Sequence, residues 1–314
     1  MDKEYLDRIV KECSVFDENN IGSAVKKIQE LDERFERDNL VQIYNELLLT
    51  VHNPEIIMNV IQCSDRLRDK SSLSPLLDLL LMKNKPLENE AYINVRVMCA
   101  GAVANLKDTS AVNALLYCMN NKDEHYKVRL ACADALGRIG DKYAVTPLIE
   151  IMKDEDEKSV YLRETAAKAL GMLGDMRAVD ALVSILEAQK GIWSKFTFLK
   201  ERVIEALGKL KSDDNDRVFN ALKNSLLDES AQVRINAIEA IMESNNSKAV
   251  EVIHQCLISD EDEEVKENAM IALYNLVGRE ILDEVIAGEF SDNLKMEAVS
   301  MISEYEDDEG EDDE

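Results

Sequence analysis

The stretch VRLACADALGRIGD, from Val128 to Asp141, returns as LRETAAKALGMLGD from Leu162 to Asp175. Weaker copies begin at Val95, Leu199, Val233 and Val265, and a truncated one lies near Leu294. The basic residue that follows each start is Arg96, Arg129, Arg163, Lys200, Arg234, Lys266 and Lys295, giving spacings of 33, 34, 37, 34, 32 and 29. Self-similarity at a fixed period marks an array in which each unit buries its apolar face against its neighbours.

Within the unit from Asp141 to Gly174, residues Val145, Leu148, Ile149 and Met152 fall at helical spacing, with Pro147 in the first turn, where a missing N–H costs little. The charged run Lys153 to Lys158 reads as a turn. A second helix follows, with Leu162, Ala166, Ala169, Leu170 and Leu173 on its apolar face and Gly174 as its C-cap. Ala102, Ala135, Ala169, Ala206, Ala240 and Ala272 hold one site of that helix in six units, so two helix axes must come close there. No strand-like alternation interrupts this pattern. The fold class is all-α.

Six residues before the base stands an acid in most units: Glu90 before Arg96, Asp123 before Arg129, Glu157 before Arg163, Asp228 before Arg234, Asp260 before Lys266 and Glu289 before Lys295. Ser194 takes that place before Lys200. These pairs are expected to form a structural ladder of exposed ion pairs, each contributing about 0–1 kcal/mol.

The whole pattern is acid, five residues, Val-Arg, two residues, Ala, two residues, Ala-Leu-Gly, one apolar residue, Gly-Asp. It resembles the HEAT-repeat family, and more closely the variant named after the phycobilisome lyases. The resemblance covers Leu73 to Ser303 and implies a right-handed α-solenoid of stacked helix pairs. It says little about function, because proteins with this repeat include bilin lyases, an iron-dependent hydroxylase of a modified lysine, DNA alkylation-repair relatives and scaffolds without chemistry. The hydroxylases carry several His-Glu pairs. This chain has three histidines, His52, His125 and His254, and no His-Glu dipeptide, so no metal and no cofactor is expected.

Residues 1–72 lack the repeat and carry helical apolar stripes, as an N-terminal cap or degenerate repeats would. Residues 73–303 form the array, and 304–314, with nine acids and no base, read as a disordered acidic tail. Leu73 to Met82 is too short to span a membrane, and the Met-Asp-Lys-Glu start resembles no export signal, so a cytoplasmic location is expected.

The net charge of −26 makes nucleic acid and anionic membranes poor partners and a basic protein surface a good one. Cys99 and Cys132 share one small core site, and Cys118 and Cys256 share a first-helix site filled elsewhere by Ile151 and Ile185. They read as buried reduced thiols. No phosphate-binding loop, dinucleotide motif or catalytic triad is present.

Two features point to binding. Glu164, Lys168, Glu201, Glu205, Glu239 and Glu267 are placed to face away from the core of the second helices, while the equivalents near the start are Val97 and Leu130. The longest spacing inserts residues 191–198, containing Ile192, Trp193, Phe196 and Phe198, into one turn. Turn insertions in solenoids often form a binding edge, and Trp anchors interfaces. The same loop could instead fold back onto its own first helix. The expected function is a non-enzymatic protein-binding scaffold or assembly factor with an acidic curved surface. The alternative is a cofactor-attachment or maturation factor of the bilin-lyase type.

Overall fold

The structure, a computed structural model, describes residues 2–14, 21–82, 89–154, 156–157, 159–188, 197–210, 216–244 and 246–311. Among them are eighteen α-helices and no strand. The chain divides into two compact units, Met1–Leu173 and Gly174–Glu314.

The first unit contains α1 (Lys3–Ser14), α2 (Ile21–Arg34), α3 (Arg37–Thr50), α4 (Pro54–Leu67), α5 (Leu73–Leu80), α6 (Glu90–Leu106), α7 (Val112–Asn120), α8 (Tyr126–Ile139), α9 (Val145–Lys153) and α10 (Val160–Leu173). The second contains α11 (Val179–Leu186), α12 (Thr197–Lys209), α13 (Asp216–Ser225), α14 (Ala231–Glu243), α15 (Ala249–Ser259), α16 (Glu263–Val277), α17 (Glu280–Ala287) and α18 (Asp292–Glu311). Each repeat is a short first helix and a longer second one. Second helices pack on second helices: α4, α6, α8 and α10 in the first unit, and α12, α14, α16 and α18 in the second. This is an all-α solenoid architecture of stacked helix pairs.

The Gly-Asp ending of the repeat explains how one unit hands over to the next. Gly140 and Gly174 take φ of 87° and 61°, a left-handed conformation that lets the second helix stop without a Cβ penalty. The aspartate that follows then accepts a hydrogen bond from the amide two residues on. Asp141 takes that of Tyr143 and Asp175 that of Arg177, and each starts a 3-10 turn that leads into the next first helix.

The alanine row has its counterpart too. Gly137 of α8 lies against Ala169 of α10, and Gly208 of α12 against Ala240 of α14. A glycine on one second helix therefore receives the alanine of the next, which is the close axial approach that the invariant alanines require.

The last helix, α18, runs to Glu311.

Candidate binding surface

Arg96, Arg129 and Arg163 are buried and Lys200, Arg234, Lys266 and Lys295 half-buried, and the ladder they form is not the expected one. Arg129 pairs with Glu157, Nη2 to Oε2 at 2.7 Å, instead of with Asp123. Arg96 holds Glu124 with both guanidinium nitrogens, Nη1 to Oε1 at 2.7 Å, instead of Glu90, which pairs with Lys127. Lys200 reaches Asp228 at 2.5 Å, and Arg234 takes Asp260 with two bonds of 2.9 Å. Asp228 gives Arg234 only its backbone carbonyl, and Lys266 pairs with Glu263 instead of Asp260. Arg163 likewise donates to the carbonyls of Asp154 and Glu157, not to the Glu157 carboxylate.

Arg96, Arg129 and Arg234 each take a carboxylate of the following repeat and a carbonyl of their own turn or first helix, and Lys200 takes such a carboxylate. Arg96 Nε donates to Leu80 O at 2.7 Å and Arg129 Nε to Met119 O at 2.8 Å. For Arg163 and Arg234 the residue six positions back, Glu157 or Asp228, presents its carbonyl to the base while its side chain pairs with the base of the preceding repeat. The bridge therefore fastens successive repeats together.

Burial of these pairs changes their weight. Arg129 and Glu157 are 5% and 6% exposed, so the surface-pair magnitude does not apply. Burial pushes the Glu157 carboxyl up. The Arg129 guanidinium and the Ser159 amide together outweigh that and hold it below the usual glutamate range. A carboxyl lowered in the folded state contributes stability above its unfolded value, about 4.3, and loses that contribution as pH falls through the lowered one. Glu157→Gln should therefore flatten the acid limb of a stability–pH curve below about pH 4.3, and an unchanged limb would show that the pair is not coupled to folding.

Both units carry open surface on their second helices, and the second unit also has a cleft of about 1030 Å³ bordered by Leu186, Lys200, Leu227 and Asp228. In the first unit, α6, α8 and α10 line a shallow groove of about 500 Å³. Its apolar part is Val97, Leu130, Ala131 and Tyr161, and Glu164, Thr165 and Lys168 close one side. The structure thus brings together four residues singled out in the sequence, Val97, Leu130, Glu164 and Lys168. It adds Tyr161, which is 67% exposed.

A polar chain borders this face. Asn105 donates to Asp65 at 2.8 Å, Arg138 donates to Asn105, and Lys168 bonds Asp134 at 2.9 Å. The signal was present in the sequence: Asn105 and Arg138 each stand nine residues after a repeat base.

In the second unit, Glu239 is exposed, Glu205 is half-buried and paired with Arg202, and Glu201 is buried. Glu201 is a correction, since it was expected on the outer surface. It occupies the half-covered place of Val97 and Leu130, and burial pushes its carboxyl up. Ile235 and Ile271 lie half-buried on the same helices as Glu239 and Glu267. At the end of this unit, Glu263, Glu267, Asn293, Leu294, Met296, Glu297 and Ser300 form a groove of about 400 Å³, in which Met296 is 70% exposed. Of the inserted loop, Phe198 lies in the first turn of α12 and is 69% exposed. Ile192, Trp193 and Phe196 lie outside the described residues.

Among the described residues, no three His, Cys, Asp or Glu side chains are placed to hold a metal ion, and no helix is long and apolar enough to cross a membrane. All six cysteines are free and buried.

The model of HEAT repeats matches residues 85–160, 121–192 and 215–303. No curated protein matches the chain. Among solved structures, a Kap121p mutant is 12% identical, with 91% of this chain and 40% of that one covered and a TM-score of 0.50. The CpcE–CpcF complex of phycocyanin lyase from Nostoc is 21% identical over 74% of this chain and 87% of that one, with a TM-score of 0.47. Human deoxyhypusine hydroxylase in complex with glycerol is 16% identical over 86% and 95%, with a TM-score of 0.34. At such identities the likeness concerns fold alone.

Proposed function

This chain belongs to the HEAT-repeat family, and from that premise we propose that it is a non-enzymatic scaffold or adaptor of the cytoplasm that holds a basic protein partner during assembly of a larger complex. The observation that carries the reading is the outer face of the second helices in residues 174–314. There Glu205, Glu239, Glu267 and Glu297 alternate with Ile235, Ile271 and Met296. Apolar side chains left half-open supply contact area, and the surrounding carboxylates select the sign of the partner and speed its approach.

The charge is uneven along the chain, which supports placing the contact there. Residues 174–314 hold 34 acids and 14 bases, against 29 and 23 in residues 1–173. Arg202 and Lys266 on these helices are already paired with Glu205 and Glu263. The apolar groove of Val97, Leu130 and Tyr161 offers a second foothold that charge does not select.

The test is affinity purification from the source cells, followed by titration of the purified partner. A Lys- and Arg-rich partner is expected, bound more weakly as salt rises. The double variant Glu239→Lys with Glu267→Lys should weaken binding about tenfold or more, mostly through slower association. Binding that ignores both salt and this variant would overturn the reading. A chromophore or metal that copurifies with the protein would favour the cofactor-attachment alternative.

A further inference from the structure

α18 packs against α16 and α17, and no second helix follows it among the described residues. The face that an earlier second helix turns to the next one is therefore open on α18. Two glycines locate that face. Gly137 and Gly208, eight residues after their bases, lie against Ala169 and Ala240 of the next second helix. One helical turn earlier on the same face, four residues after the base, stand Ala100 and Ala133 in the first unit and Ile204, Ile238 and Met270 in the second. All five are buried, to 1% exposure or less. Val299 holds that position in α18 and is 53% exposed, and Ser303, at the position of the two glycines, is exposed as well.

The base of this repeat is also left over. Arg96, Arg129, Lys200 and Arg234 each take a carboxylate of the following repeat. Lys295 stands at the same position, half-buried, and meets no carboxylate among the described residues. α18 thus carries one side of a repeat-to-repeat interface, an apolar side chain and an unanswered base. A closed end is built differently. α2 packs on α4 with no second helix before it, and apart from Gly22 all its exposed residues are polar or charged, as a capping helix requires. The contrast also excludes a second copy as occupant. α2 exposes no apolar side chain to meet Val299, and two copies joined at α18 would bring together two units of 34 acids and 14 bases each.

We propose that this face of α18 is a docking site for a helix hairpin of another protein, which stacks there as one more repeat. The partner lays small or apolar side chains of its second helix on Val299, and an acid in the turn before that helix reaches Lys295. Val299 then takes the covered place of its counterparts, and Lys295 completes the ladder. The site is separate from the acidic outer face, and it asks its occupant for an acid where that face selects bases.

The test places benzoylphenylalanine at position 299 of the full-length protein and irradiates it in extract of the source cells. The same probe at position 143, exposed in the first unit, is the control. One partner should be joined at 299 and absent at 143. A carbodiimide, which couples an amine to a carboxylate in direct contact, should then join Lys295 to an Asp or Glu in a helix-hairpin turn of that purified partner. Lys295→Glu should weaken its binding about tenfold or more, and reversing the coupled acid of the partner to Lys should restore it. A variant that merely disturbed α18 would not be rescued in this way. Glu239→Lys, on the acidic outer face, should leave the affinity within about twofold, so this result and the one for that face are read apart. A product made of two copies of this chain, no product at 299, or a partner indifferent to Lys295→Glu would each overturn the proposal.

Discussion

Arg129→Ala should loosen the contact between α8 and α10 by about 3–5 kcal/mol, because it strands the Glu157 carboxylate in a site from which water is excluded. The loss has two parts. The carboxylate loses the charge that holds it ionised, and the Met119 carbonyl at the end of α7 loses its donor. Hydrogen exchange of the full-length protein locates the effect. Amides of residues 126–139 should lose protection by about two to four orders of magnitude, since each 1.4 kcal/mol is a factor of ten.

A companion variant separates charge from fold. Arg129→Met combined with Glu157→Leu removes both charges and keeps the volume, and it should recover the greater part of the loss. A drop under 1 kcal/mol for Arg129→Ala would mean that the pair behaves like an exposed one. Partner affinity measured below the unfolding range should change little, because Arg129 faces the interior.

The ladder shows how far the sequence could be read. Its members were legible because a base recurs every 32 to 34 residues in most units with an acid before it. Their partners were not, because spacing along the chain cannot say which way a side chain leaves a turn. Asp123 stands at the expected offset from Arg129, yet it is the adjacent Glu124 that is buried and paired, and with Arg96. Burial itself was also hidden. An acid and a base look the same in a sequence whether the stack covers them or water does. Glu201 failed for a related reason: it lies on the outward side of its helix by periodicity but is covered in place. Val97, Leu130 and Glu164 were readable because their groove is built from one helix position repeated three times. Tyr161 escaped because it stands at a different offset, two residues before the base.

Gly137 and Gly101 give the sharpest contrast the packing allows, since both sit inside second helices and only one is touched. A Cβ built on Gly137 would lie 2.8 Å from Ala169 Cα and 2.9 Å from its Cβ, closer than carbon atoms approach. Part of that contact is backbone, so no rotamer change relieves it, and α8 and α10 would have to separate. Gly137→Val should therefore cost about 3 kcal/mol, the upper range for overpacking, and should lower the protection of α8 and α10 together. A Cβ on Gly101 of α6 meets nothing within 4 Å. There the gain in helix propensity acts alone, and Gly101→Ala should stabilise by about 0.5–1 kcal/mol. Urea denaturation of the two variants beside wild type measures both shifts. Equal shifts of the same sign would mean that propensity alone governs these sites. Opposite signs would show that the repeat keeps Gly137 because the alanine of the next second helix occupies the space where its side chain would stand.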